Sequence, residues 1–557
     1  KITTHINMKK FNLLTIATLA LGTVVACSSP EKMAEAYESV VVTCEPAVLE
    51  VIAGNIDAEI TSTFPAKYFN TDGILEVTPV LVYEGGEQAL EPFTYQGEKV
   101  KDNYKVVGTD GAQISEKVHF TYVKGMEKAT LELRSKASNA KKSVEGPTKK
   151  VADGCNTTYM LVDKKGSVSY KADGYQDVIK SQVEGQILYN ICSAQVNKKE
   201  LKGASVNAYQ EGVKEAIANE RKTITSTDIV AYASPDGKEA YNNKLSADRS
   251  KSAEKAYATV AKNTGANNPV NVKSIGEDWE GFQELVAASN IEDKELILRV
   301  LSMYSDPAVR ESEIKNLSAV YQTLAKDVLP ALRRARFIAN VEYQNYSAEE
   351  LATLVNDNID VLDEPALLHA AALSKDNAQK EALYKKAIEK FSSDVAQYNL
   401  AVLYVKEGKY ADAKAAAKKV ENQDADLINL NGVIALNEGD LQAAAEAFAK
   451  VDSKEANNNA AVVDILNGNY EAAYAKLANC NCCCASNNKA LACILTDRID
   501  EAEAAIKCEC PTAYYLKAIV AARKGNADGV KANLAEASKC ECLAARATKD
   551  IEFARFN

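Results

Sequence analysis

The residues best suited to chemistry stand in one turn and the helix that leaves it. Ala231-Tyr232-Ala233-Ser234 reads as a strand end, Pro235-Asp236-Gly237 as a turn, and Asn242, Ser246 and Arg249 follow on a helix. Ser234, Asp236, Asn242 and Arg249 can all point at one place. A hydroxyl, an acid, an amide and a guanidinium suit a small ligand with both a carboxylate and an amine. Ordinary local roles exist for each. Asp-Gly is common turn chemistry, Asn242 and Ser246 are suited to cap the helix, and Arg249 has Asp248 beside it in sequence.

Cysteine is the second source of chemistry, with thirteen in the chain. Nine lie near the C-terminus: Cys480, Cys482, Cys483, Cys484, Cys493, Cys508, Cys510, Cys540 and Cys542. The clusters recur 28 and 32 residues apart, which places them at equivalent points of a repeating structure. In an oxidising compartment these residues are candidates for disulfides between neighbouring repeats. The alternative is a soft-metal site for Cu(I) or Zn(II). It is weaker, because no histidine lies nearby and only Cys480 and Cys483 have the CxxC spacing. Cys44, Cys155 and Cys192 supply one further bridge at most. No cofactor or metal is expected.

Little else suggests catalysis. There are three histidines, and HExxH, P-loop and GxSxG patterns are absent. A net charge of −11 opposes binding to phosphate backbones, so no nucleic-acid partner is expected. The chain reads as non-enzymatic.

Five stretches must position these residues. Met8-Lys9-Lys10 opens a basic region, followed by an apolar run too short to span a membrane comfortably. Val24-Val25-Ala26-Cys27 resembles the lipobox of bacterial lipoproteins. That resemblance implies removal of residues 1–26, a lipid on the thiol of Cys27, and attachment to the outer membrane, facing the periplasm. Residues 27–44 would be a tether. Residues 45–145 alternate β-branched and aromatic residues with turn residues, and predict an all-β, immunoglobulin-like sandwich. Residues 135–150 are basic and small, and read as a linker. Residues 151–345 alternate helix and strand, which predicts an α/β sandwich interrupted by helices near 280–329. Residues 347–557 are Ala-rich and repetitive. Gly408, Gly439, Gly468, Asp497 and Gly525 share one register at spacings of 31, 29, 29 and 28. Each unit reads as helix, tight turn, helix, making an all-α solenoid. The whole is a multidomain α+β chain.

Two further resemblances follow. The repeats resemble tetratricopeptide repeats in shortened form, which implies a concave face that grips a protein partner. The frame Ser234, Asp236, Gly237, Asn242, Leu245-Ser246 and Arg249, with Leu332-Arg333-Arg334-Ala335 before the last strand, resembles the OmpA-type peptidoglycan-binding domain. That resemblance implies a site for the diaminopimelate of the wall's stem peptide. Arg249 would take its carboxylate and an acid its ammonium. The family's aspartate position holds Ser234 here, and Asp236 would supply the charge. The combination resembles OmpA-family lipoproteins of Bacteroidetes-type bacteria. It implies a tether between outer membrane and wall. The alternative is a scaffold subunit of an outer-membrane secretion, assembly or uptake complex, with a degenerate OmpA-like domain.

Overall fold

A computed structural model describes residues 29–291, 294–478 and 483–556. Residues 1–28, which include the segment read as a signal and Cys27, lie outside them, as do Cys480 and Cys482. The chain divides into two compact units, Lys1–Ala172 with Tyr384–Asn557, and Asp173–Leu383.

The first unit begins with α1 (Pro30–Glu35), capped by Ser29. Met33 and Tyr37 are fully buried, and the Tyr68 hydroxyl donates to the Met33 carbonyl at 3.0 Å. The sequence predicts a short tether here. The apolar side chains instead dock these residues on the sheet that follows.

Ten strands make that sheet: β1 (Val41–Glu45), β2 (Val48–Ile52), β3 (Asn55–Phe64), β4 (Ile74–Tyr83), β5 (Gly86–Ala89), β6 (Phe93–Gln96), β7 (Lys105–Val106), β8 (Ala112–Thr121), β9 (Thr130–Ser138) and β10 (Ser143–Asn156). Period-two patterning drives them. In β3, Ile56, Ala58 and Ile60 are buried while Asp57 and Glu59 are exposed. The strands follow one curled path, β1-β3-β2-β10-β9-β4-β6-β7, with β5 on β4 and β8 on β3. The short β2 joins the halves, antiparallel to β3 and parallel to β10. The expected two-sheet sandwich over 45–145 is therefore one hydrogen-bonded path over 41–156. The linker expected at 135–150 forms the end of β9, the turn after it and the first part of β10. Ser135 and Ala137 face inward while Arg134 and Lys136 alternate with them, a pattern that polar, small residues disguise.

The second unit holds β11 (Val178–Leu188), β12 (Lys222–Ala233), β13 (Val270–Glu277) and β14 (Arg334–Gln344) in the order β11-β14-β12-β13. Helices α2 (Ala204–Ala218) and α3 (Glu239–Thr264) accompany it, and Gly265 ends α3 at φ 78°. Val206, Tyr209, Ile229, Tyr257 and Phe337 fill a core shared by helices and sheet. Between β13 and β14 stand α4 (Trp279–Ala288), α5 (Lys294–Met303), α6 (Pro307–Asn316) and α7 (Ser318–Asp327). They have a core of their own, including Phe282, Val286, Leu301 and Leu324. The unit starts at Asp173 rather than 151, and ends with α8 (Ala348–Asp357), α9 (Glu364–Leu373) and part of α10 (Asn377–Phe391).

The rest of the first unit is five helix pairs and a closing helix. They are α11 (Asp394–Lys406) with α12 (Tyr410–Ala417), α13 (Ala425–Glu438) with α14 (Leu441–Phe448), and α15 (Lys454–Leu466) with α16 (Tyr470–Leu477). Then come α17 (Cys483–Leu495) with α18 (Ile499–Ala505), α19 (Pro511–Arg523) with α20 (Ala527–Ala537), and α21 (Glu541–Ala547). Gly408, Gly439, Gly468 and Gly525 turn each pair at φ 73–89°, and Asp497 takes the same place at φ 59°. Positive φ is what made these residues the visible register of the repeats. Among the described residues no helix is long and apolar enough to cross a membrane.

Candidate functional site

The first helices of the pairs carry a feature that repeat spacing alone does not flag. Asn399, Asn429, Asn459 and Asn488 recur at spacings of 30, 30 and 29, and are 0–6% exposed. A carboxamide offers one acceptor and two donors, enough to pair with both polar groups of a peptide unit. All four are used on one segment, residues 163–171, which we term the strap.

Asp163 N donates to Asn488 Oδ1 at 2.8 Å, and Asn488 Nδ2 returns to the Asp163 carbonyl at 3.1 Å. Ser167 N donates to Asn459 Oδ1 at 2.6 Å, and Asn459 Nδ2 returns to the Ser167 carbonyl at 3.0 Å. Lys171 N donates to Asn399 Oδ1 at 2.8 Å, and Asn399 Nδ2 returns at 3.1 Å. Asn429 Nδ2 adds a second bond to the Ser167 carbonyl at 2.9 Å, while its Oδ1 accepts from Asn459 at 2.9 Å. Asn437 and Tyr398 donate to the carbonyls of Lys164 and Ser169 at 2.9 and 3.2 Å. The strap runs opposite to the order of the repeats.

Side chains contribute at a few points. Gly166 has φ 75°, and a Cβ there would lie 2.6 Å from Val433 Cγ1, so glycine is required. The Lys171 ammonium lies 2.6 Å from Asp424 Oδ2 and 4.6 Å from the Tyr398 ring centroid. Burial raises the Asp424 carboxyl, but bonds from Lys171 and from Leu427 N hold it below its ordinary value. Val168 is the one buried side chain among residues 163–171.

The strap emerges from a much tighter joint. Glu552, 4% exposed, accepts from Arg523 Nη2 at 2.6 Å, Asn156 Nδ2 at 3.0 Å and Thr158 Oγ1 at 3.1 Å. Arg546 donates to Thr157 at 2.8 Å, and the Tyr515 hydroxyl donates to Asp550 at 2.8 Å. The end of β10 and the end of the repeats are thus one packed junction.

Within the second unit, the turn expected to bind the wall does gather its residues. Ser234 Oγ donates to Asp236 Oδ1 at 2.6 Å, and Asn242 Nδ2 donates to the Ser234 carbonyl at 3.2 Å. Their bonds are spent on one another and on the protein. Arg249 is 1% exposed and gives Nε, Nη1 and Nη2 to the carbonyls of Ser193, Tyr232 and Asn190 at 2.9, 2.8 and 3.2 Å. Burial lowers its guanidinium to about 10. Asp236 accepts from Arg333 Nη2 at 3.3 Å, and Arg334 pairs with Asp278 at 2.8 Å. The OmpA resemblance has Arg249 present its fork to a carboxylate. In this structure it staples strand end, loop and helix together.

No disulfide is present among the described cysteines. Cys493, Cys508, Cys510, Cys540 and Cys542 are free thiols, as are Cys44, Cys155 and Cys192. Cys493 is fully buried in α17, and burial pushes its thiol up to about 11. The sulfurs of Cys508 and Cys510 are 3.6 Å apart, and those of Cys540 and Cys542 2.6 Å, each pair within one motif. Cys483 and Cys484 begin α17, and their side chains lie outside the described set. Among the described residues no three His, Cys, Asp or Glu side chains form a metal-holding group.

No protein-family model matches this chain, and no curated protein does. Among solved structures, a tetratricopeptide repeat protein from Parabacteroides merdae is similar over 37% of this chain and 91% of its own. Its identity is 13% and its TM-score 0.31. YrrB, described as a TPR protein with an unusual peptide-binding site, covers 36% of this chain and all of its own at 19% identity and TM-score 0.21. Yeast Tom70 covers 63% of this chain and 76% of its own at 14% identity and TM-score 0.24. Each of these neighbours covers part of the chain at values too low to transfer a residue or a ligand. An OmpA-family relationship finds no support in these comparisons.

Proposed function

We propose that the chain is a non-enzymatic lipoprotein of the bacterial outer membrane that acts as a scaffold. Cys27 carries the lipid, and the helical repeats hold a protein partner within a secretion, assembly or uptake complex. The observation that carries this reading is the asparagine row. Its carboxamides grip the main chain of an extended segment, which is recognition of polypeptide and involves no reacting group.

A second reading is the wall tether. It is favoured by the gathering of Ser234, Asp236, Asn242 and Arg249 at one turn. For diaminopimelate to bind there, Arg249 must exchange three backbone carbonyls for a carboxylate, and Asp236 must leave Arg333 for an ammonium. The scaffold needs neither exchange, and is preferred for that reason.

In-cell cross-linking with mass spectrometry tests the scaffold. Cross-links from residues 394–537 to one protein, in excess of those from the second unit, are expected. Cross-links confined to the second unit would count against it.

A further inference from the structure

We infer that the strap is an exchangeable internal occupant of the repeat groove. The groove opens to an extended, cationic segment of a partner only when residues 163–171 leave. The inference rests on the reading of the repeats as a protein-binding scaffold, and names what the partner must offer and what it must displace.

The contrast along residues 156–171 is the first reason. Asn156, Thr157, Thr158, Tyr159, Leu161 and Val162 are buried. The strap that follows keeps Lys164, Lys165 and Ser169 exposed. Most of its hydrogen bonds come from its peptide groups, which any extended polypeptide possesses, with side-chain contacts from Val168, Tyr170 and Lys171. Main-chain bonds of this kind are modest in net strength, because water replaces them on release. A permanently built segment would be anchored by buried side chains, as residues 156–162 are.

The second reason is room and an unmet acceptor. Beside the strap lies a cavity of about 460 Å³ lined by Asp163, Gly166, Lys406, Glu407, Tyr410 and Asn458. Asn458 is 4% exposed and donates Nδ2 to Ser167 Oγ at 2.8 Å. Its Oδ1 is buried and accepts no hydrogen bond from any described residue. A buried amide oxygen without a donor is costly, and a native site normally satisfies it. The present occupant does not fill the groove or complete its hydrogen bonding.

The chemistry of a replacement can be read from the groove. The asparagines require an extended backbone with free N–H and C=O groups, which excludes proline at the three paired positions. Val433 requires glycine just before the central pair. Asp424 and Tyr398 accept a cation at the last paired position. Asn458 Oδ1 accepts a further N–H. The ligand class is therefore an extended segment with a glycine and, five residues on, a lysine or arginine.

A fluorescent peptide, Asp-Lys-Lys-Gly-Ser-Val-Ser-Tyr-Lys-Ala, serves as the probe for the full chain. Gly166→Val with Lys171→Glu expels the strap by clash and charge. Binding to that double variant at least 10-fold tighter than to wild type is expected, with loss of binding on adding Asn459→Ala. Equal binding to both chains, or tight binding that survives Asn459→Ala, overturns the proposal. Hydrogen exchange on the wild-type chain is independent of any variant. The amides of Ser167 and Lys171 are expected to exchange at least 100-fold faster than those of buried α13 and α15. Equal protection would show that the strap does not leave, and would also overturn the proposal. Neither failure touches the scaffold reading if cross-links still concentrate on another face of the repeats.

Discussion

Replacing Asn459 with alanine is the most informative single change in the groove. The side chain is fully buried and makes three hydrogen bonds, two to Ser167 and one to Asn429. Ser167's carbonyl keeps its second donor, Asn429 Nδ2. Two groups are therefore orphaned, Ser167 N–H and Asn429 Oδ1. An orphaned buried group costs about 1–3 kcal/mol. Ser167 is half-buried, so water reaches it and the lower end applies; Asn429 is buried and takes the middle of the range. Alanine returns roughly 0.5 kcal/mol of helix propensity. The net loss is about 2–3 kcal/mol. Asn457 lies on the same helix and is exposed, so Asn457→Ala is a matched control with no loss expected. Urea unfolding followed by circular dichroism reads both, and hydrogen exchange reads the Ser167 amide. If Asn459→Ala matches Asn457→Ala in urea and leaves Ser167 exchange unchanged, the asparagine row does not hold the strap.

Three other outcomes follow from the same geometry. Glu552→Gln leaves Arg523 buried beside an uncharged group and should cost about 3–5 kcal/mol in urea unfolding. Burial raises the Glu552 carboxyl, but Arg523 pulls it below its ordinary value, so this stabilisation is present at neutral pH. It should fade as pH falls below the usual glutamate value of about 4.3 and through the lower folded one, a slope that Glu552→Gln removes. Gly439 sits at φ 89° with open space where a Cβ would stand, so Gly439→Ala isolates backbone strain and should lower stability by about 1–2 kcal/mol. Iodoacetamide should label Cys542 in the folded chain and reach Cys493 only on unfolding, since the first is exposed and the second buried with its thiol raised to about 11.

How much of this was readable in the sequence differs by region. The repeats were visible because a positive φ restricts the turn to glycine, or at Asp497 to a residue that tolerates it. The strands and helices of the second unit were visible because their apolar spacing matches period two or 3.6. β9 and β10 were hidden, since their inward positions include Ser135 and Ala137, which read as linker composition. The asparagine row was present as a spacing of 30, 30 and 29, yet asparagine on a helix looks like an ordinary surface residue until its burial is known. Nothing local in Asp163–Lys171 says that it threads the groove, because the contacts join residues more than 200 positions apart. The turn at 231–237 was gathered as its spacing suggested. What spacing could not reveal is the direction of the Arg249 guanidinium, which the carbonyls of the 190–193 loop decide.

Scaffold and tether separate most directly in a sedimentation assay. The mature chain and Arg249→Ala would each be spun with purified diaminopimelate-type peptidoglycan. The scaffold account predicts that both remain in the supernatant to the same extent. Pelleting of the wild-type chain that is lost in a folded Arg249→Ala would contradict it, and would restore the wall as the ligand of that turn.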